Sequence, residues 1–216
     1  MKNIFSLISI FFLISCHSRE SRKILPLKTP VKMEIQKDLE VATFAGGCFW
    51  CTEAVFLELD GVKTVVSGYI GGTIANPTYQ EVSNGTTGHA EATQITYDPK
   101  KITFEDLLEV FFATHDPTTL NRQGADVGTQ YRSEVFYHNE NQKKSTENYI
   151  AQMTALLTFG SAIVTKVSPA PTFYPAENYH QNYYSQNKNQ SYCHFVITPK
   201  IEKLKHNFQN KLKNKY

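Results

Sequence analysis

The sequence predicts a single catalytic α/β domain, a two-layer sandwich in which a mixed central sheet carries flanking helices and long functional loops. Three observations lead there. With 216 residues, of which 41% are apolar and 19% charged, the chain can bury one generous core, and it is neither a disordered polyelectrolyte nor a multi-span membrane protein. Strand-like and helix-like periods alternate in mixed order rather than in two separate blocks, which argues against two domains. Connections as long as residues 115–133 separate the elements, and loops of that length usually carry function. There is no internal repeat.

The first residues lie outside this fold. Lys2 precedes an apolar run from Ile4 to Ile14, too short for the ~20 residues that span a bilayer and suited to a secretory leader. Leu13-Ile14-Ser15-Cys16 resembles the lipobox of bacterial lipoproteins, which implies a signal peptide over 1–15 and a lipidated Cys16. The alternative is an ordinary signal peptide with a chance cysteine. Residues 16–38 read as a flexible tether rich in Lys, Arg, Pro and Ser, able at a ceiling of ~3.3 Å per residue to hold a domain tens of Å from a membrane. This places the protein in the bacterial cell envelope, lipid-anchored outside the cytoplasm.

The catalytic domain is expected over 39–200. Val41–Ala45 reads as a buried strand ending at Gly46-Gly47, and Cys48 opens a helix running towards Asp60-Gly61. Val62–Ile70 is β-branched and strand-like. In the next strand, His89 to Tyr97, the period of two puts His89, Glu91, Thr93, Ile95 and Tyr97 on one face. Thr103 and Asp106 form a capping box before a 3-4 stripe of Phe104, Leu107, Leu108, Phe111 and Phe112. Strand 134–137, a long helix over 139–157 and strand 163–167 follow, and 201–216 is a basic tail, read as helical.

Charge separates the ends from the body. Residues 1–32 and 200–216 each carry six Lys/Arg against one Glu, whereas 33–199 carries ten Lys/Arg against 18 Asp/Glu, a net of −8. A nucleic-acid groove needs positive charge on the fold itself, so nucleic acid is not an expected partner.

The chemistry concentrates at Gly46-Gly47-Cys48-Phe49-Trp50-Cys51. A thiol at a strand end and helix start meets unpaired N–H groups and the positive end of the helix dipole, both of which favour thiolate. Cys48 is therefore a candidate nucleophile, and Cys51 stands at a redox-compatible spacing. Cys-x-x-Cys is equally half of a zinc site, with Cys193-His194 as the other half. The bulky Phe49 and Trp50 between the thiols favour an apolar substrate group over a metal.

Around this hexapeptide stand Asn76-Pro77-Thr78-Tyr79, Gly88-His89-Ala90-Glu91, His115-Asp116-Pro117-Thr118, Asp126-Val127-Gly128-Thr129-Gln130-Tyr131-Arg132-Ser133, Tyr174-Pro175-Ala176-Glu177 and Tyr179-His180-Gln181. In order and spacing these resemble the peptide methionine sulfoxide reductase A family over residues 41–200. The resemblance implies an enzyme that reduces the S epimer of methionine sulfoxide, free or in oxidised proteins, by way of a cysteine sulfenic acid and an intramolecular disulfide. Cys48 would attack the sulfoxide sulfur, and Glu91, its pKa raised by burial, would protonate the oxygen. Tyr79 and Tyr131 would hydrogen-bond that oxygen, Asp126 would shape the site, and Phe49 and Trp50 would cage the S-methyl group. His89 is either a supporting residue behind Glu91 or merely structural.

Two thiols can resolve the sulfenic acid, Cys51 and Cys193. Cys193 matches the family's C-terminal Tyr-Cys segment and is favoured as first resolver, because two cysteines within the first turn of a helix would strain a disulfide. A thioredoxin-like or other dithiol reductant would restore the thiols, with no metal or other cofactor, and the enzyme would act as a monomer. Two other classes stay open at this point: a generic thiol-disulfide oxidoreductase, which needs no acid for an oxygen leaving group, and a zinc-stabilised module at the membrane surface.

Overall fold

A computed structural model describes residues 38–213. The leader, Cys16 and all but the end of the tether lie outside the described residues. Among those described, no helix is long and apolar enough to cross a membrane.

Strands β1 (Glu40–Gly46), β2 (Val62–Ile70) and β3 (Ala90–Tyr97) form the middle of the sheet, with β3 antiparallel to both others. β3 is buried along nearly its whole length on both faces, which suits its content of Ala, Thr, Ile and Tyr. Two short strands, β4 (Arg122–Gln123) and β5 (Asp126–Val127), make a separate hairpin inside the long loop. β6 (Ser133–Tyr137) joins β1 antiparallel, β7 (Lys166–Pro169) joins β6 in parallel, and β8 (Tyr174–Pro175) closes the β2 edge. The order β7-β6-β1-β3-β2-β8 is a mixed sheet, as the alternating pattern predicts.

Helix α1 (Phe49–Leu57) follows β1, and α2 (Tyr79–Ser83) lies in the loop before β3. Helix α3 (Phe104–Thr114) starts at the Thr103/Asp106 capping box and buries Phe104, Leu107, Leu108, Phe111 and Phe112. These rings meet Phe44 of β1, stacked on Phe111 with centroids 4.9 Å apart, and Phe56 of α1, so one face of the sheet and two helices share a core. Helix α4 (Glu140–Ala155) is polar and largely exposed, held by its Gln142 amide, which donates to the Val41 carbonyl at 2.7 Å.

Two expectations shift. The strand expected at 163–167 forms at 166–169, because Val164 N–H donates instead to Pro117 O (2.8 Å) and Thr165 bonds Ser133 Oγ (2.7 Å), tying those residues to the long loop. Residues 201–213 pack as part of the domain. Helix α5 (Tyr183–Gln186) is a single turn, and α6 (Thr198–Asn207) buries Ile201 in the cluster around Cys48 and Phe49, and Leu204, followed by Phe208, in the core around Phe44. Lys211 then reaches Asp106 and Glu109 at the start of α3. Its positive charge meets carboxylates in the first turn and one turn on, so basic composition here marks a docked strap.

Candidate active site

The site is built where β1 turns into α1. Gly47 holds φ = +92°, and a Cβ there would lie 2.6 Å from the Gln123 side chain, so only glycine fits both the backbone and the neighbour. Cys48 follows in an extended conformation (φ −56°, ψ 124°) as the N-cap, and Cys51 occupies the first turn, its N–H donating to the Cys48 carbonyl at 3.1 Å. Cys48 is therefore at the N-cap, and only Cys51 of the pair lies within the helix. Cys48 makes no capping bond of its own; the N–H of Phe49 donates instead to Glu91 Oε2 (3.0 Å) on the adjoining strand.

Glu91 is only 2% exposed, and burial raises its pKa to about 8, with the Phe49 N–H opposing and the charges of Asp126 and Cys51 adding to the rise. It is a protonated acid at neutral pH. Cys48, 8% exposed, departs from the dipole argument. Burial, then the hydrogen bond with Cys51 and the charge of Glu91, push its thiol well above the usual range, so desolvation outweighs the helix start. Cys51 moves the opposite way, lowered first by its bond to Cys48 and further by Lys200 and Tyr192, against burial. The two thiols thus shift in opposite directions, Cys48 upward and Cys51 downward.

Aromatic rings surround the pair. Phe49 is fully buried against Tyr69 and His180, whereas Trp50 is partly exposed and stacks on Tyr183 with centroids 3.7 Å apart and planes 6° from parallel. The Trp50 indole N–H donates to His180 Nδ1 (3.1 Å), and the His180 ring lies 4.3 Å from that of Tyr79. Tyr79 and Tyr131 are both half-buried near Glu91 and Cys48, whose charges add to burial in raising the phenol pKa values. Both phenols stay protonated donors.

Loops are pinned to aim these groups. Glu177 accepts the Tyr79 N–H (3.0 Å) and the Tyr69 hydroxyl (2.9 Å). Buried Arg132 pairs with Glu134 at 2.6 Å and donates to the Gly88 and Thr129 carbonyls, joining the start of β3 to the turn that carries Tyr131. The Gln181 amide pairs with the backbone of Ser67 at 3.0 and 2.9 Å, extending the edge of β2. His89 bonds Gly72 N–H and the Ile74 carbonyl, so it orders the loop after β2 rather than touching Glu91.

Asp126, on the β5 hairpin, accepts the Tyr192 hydroxyl (2.8 Å), and that same oxygen lies 3.7 Å from Cys51 Sγ. Cys193 is fully buried at the start of a π-helical turn, Cys193–Ile197, and burial together with the charge of Cys51 raises its pKa. Among the described residues no group of three His, Cys, Asp or Glu side chains is arranged to hold a metal ion.

Sequence reasoning gave no role to His180 and Tyr192, which stand in the quoted Tyr179-His180-Gln181 and Tyr-Cys segments, and missed Tyr183 and Glu53. Glu53, 1% exposed, accepts the N–H groups of Asn182 (2.7 Å) and Tyr183 (3.2 Å), holding the ring that stacks on Trp50. One signal was available: Glu53 is the lone charge on a helix otherwise apolar all round, and such a charge must find buried partners.

A family model for peptide methionine sulfoxide reductases matches residues 40–212. The peptide methionine sulfoxide reductase MsrA of Deinococcus radiodurans is 57% identical over 174 residues, 81% of this chain and 84% of that protein. The MsrA of Acinetobacter baumannii strain AYE is 56% identical over 176 residues, 82% of this chain and 100% of its own. Among solved structures, reduced Mxr1 from Saccharomyces cerevisiae matches with a TM-score of 0.66 at 35% identity, covering 72% of this chain and 90% of that one. Methionine sulfoxide reductase A of Corynebacterium diphtheriae matches with a TM-score of 0.63 at 34% identity, covering 70% and 76%.

Proposed function

Because the chain belongs to the peptide methionine sulfoxide reductase A family and is an oxidoreductase acting on sulfur, we propose that it reduces the S epimer of methionine sulfoxide through a Cys48 sulfenic acid. The observation that carries this reading is the pairing of a buried, protonated Glu91 with Cys48 across the Phe49 N–H, inside a ring of aromatic side chains. A disulfide exchanger has no use for such an acid. Cys48 attacks the sulfoxide sulfur while Glu91, Tyr79 and Tyr131 donate to the oxygen. The oxygen ends on Cys48 as S–OH, methionine leaves, and the aromatic wall that includes Phe49 and Trp50 favours the apolar methyl over water.

Resolution follows by Cys51. Cys51 is held beside Cys48, its N–H donating to the Cys48 carbonyl at 3.1 Å, and Cys48 stands at the N-cap outside the helix. Cys193 then exchanges with the Cys48–Cys51 disulfide and presents the oxidised pair to a thioredoxin-like reductant. Lipidation of Cys16 would place this repair activity on oxidised proteins in the bacterial envelope, outside the cytoplasm.

The test is an assay of the two sulfoxide epimers separately with dithiothreitol, followed by peptide mapping after a single turnover. The expected result is turnover of the S epimer with one methionine released per Cys48 and a first disulfide between Cys48 and Cys51. Equal rates on both epimers, or none on either, would overturn the substrate assignment, and a first disulfide from Cys48 to Cys193 would overturn the order of resolution.

A further inference from the structure

The Tyr192 hydroxyl stands between two groups given separate tasks. It donates to Asp126 Oδ2 at 2.8 Å and lies 3.7 Å from Cys51 Sγ, a normal length for a sulfur hydrogen bond. A phenol has one proton, and here the carboxylate takes it, so the oxygen is left as an acceptor facing the Cys51 thiol. While Cys51 is a thiol, its S–H donates to the Tyr192 oxygen and the Tyr192 O–H to Asp126; once Cys51 ionises, the Tyr192 O–H turns to the thiolate, which is how Tyr192 lowers the Cys51 pKa. The Tyr192 ring is fixed as well, edge-on to Trp50 with centroids 5.9 Å apart.

We propose that Asp126 and Tyr192 act as one unit on the resolving step, with Asp126 orienting the Tyr192 hydroxyl and that hydroxyl holding the Cys51 thiol towards Cys48. The proposal rests on Cys51 as the resolving thiol. It gives Asp126 a positioning role towards Cys51, where the family resemblance alone has it shaping the sulfoxide pocket. In the step itself, the Cys51 sulfur attacks the sulfur of Cys48 S–OH, the S–O bond breaks as the S–S bond forms, and the thiol proton joins the departing hydroxyl as water. No further oxidant or reductant is needed. The other titratable and charged groups that act on Cys51 or respond to its charge are Cys48, Lys200, Glu91 and Cys193.

The experiment follows a single turnover on S-methionine sulfoxide by rapid quench in the full chain carrying Cys193→Ser, counting released methionine, Cys48 sulfenic acid trapped with dimedone, and the mapped disulfide. Adding Tyr192→Phe, which keeps the ring, should slow disulfide formation by about 10- to 100-fold, the range for a reacting group held out of place. Methionine release should slow less, so trapped sulfenic acid accumulates. Asp126→Ala should give the same excess, and the double variant should be no slower in resolution than either single one, since the two act as a unit. A second readout separates positioning from packing: with Cys48→Ser also present, the pH profile of Cys51 alkylation should shift upward on Tyr192→Phe.

Resolution at the parent rate in Tyr192→Phe, or an unmoved alkylation profile, would overturn the proposal. If methionine is released but Cys48 and Cys51 never pair even in the Cys193→Ser parent, the choice of resolving thiol fails and the proposal falls with it. That result is distinct from loss of methionine release, which the parent reports independently.

Discussion

Cys48 and Glu91 divide the chemistry at the scale of single residues. Cys48→Ser should abolish methionine release in a single-turnover assay, because a hydroxyl with no activating base beside it cannot replace the thiol; substantial release would remove Cys48 from the mechanism. Glu91→Gln keeps a hydrogen-bond donor but has no proton to give, so the same step should slow by roughly 10²–10⁴-fold. In the unsubstituted protein the rate should rise with ionisation of Cys48 up to about pH 8 and then level off, because Glu91 loses its proton there while the raised Cys48 thiol is still ionising. The Gln variant should lack that plateau and go on rising. Stability should respond in the opposite sense. An unfolded Glu titrates near ~4.3, while the folded group titrates at about 8, so its contribution is complete below the first value and is lost as pH rises through the second. Melting temperature of the unsubstituted protein should therefore decline across that window, and the decline should be smaller in Glu91→Gln; parallel melting profiles would show that Glu91 is not buried as an acid.

Among the elements, α1 does more than present two thiols. Its first N–H goes to Glu91, its third residue is Cys51, and one turn further Glu53 fastens the α5 turn so that Tyr183 covers Trp50. Glu53→Gln places an amide NH2 against backbone donors and should cost about 1–3 kcal/mol of stability in denaturant titrations. Trp50 is the single tryptophan of the chain, so its fluorescence reports the stack directly. The variant should show a changed Trp50 emission and a KM for the sulfoxide that rises more than kcat falls. An unaltered spectrum would mean that Glu53 does not hold Tyr183 in place. The short β4–β5 hairpin has a comparable role in carrying Asp126 to Tyr192, which neither hairpin strand could do from the main sheet.

For the whole molecule, the fold encloses the site with segments from both ends of the domain. The strap after residue 200 docks on α3 through Leu204, Phe208 and Lys211, which fixes the path of the chain beyond Cys193. The opposite end of the domain begins at β1, after residues outside the described structure. If Cys16 is the lipid attachment point, Cys16→Ala should release the protein from membranes or block its maturation in cell fractionation. Unchanged membrane partition together with an unmodified Cys16 by mass spectrometry would refute the anchor.

Local pattern was enough for the α1, β2 and α3 segments, because buried strands, a capping box and a 3-4 apolar stripe are written in adjacent residues. Motif order likewise placed Cys48, Glu91, Tyr79, Tyr131 and Asp126 in one family pattern. What adjacent residues do not carry is the partner of a buried polar group, since that partner arrives from another part of the chain. The sequence could not tell that Tyr192 bridges residues 51 and 126, that Glu53 reaches 182 and 183, or that desolvation outweighs the helix start at Cys48. These depend on distances across the fold and on water excluded by packing, and both exist only once the tertiary structure has formed.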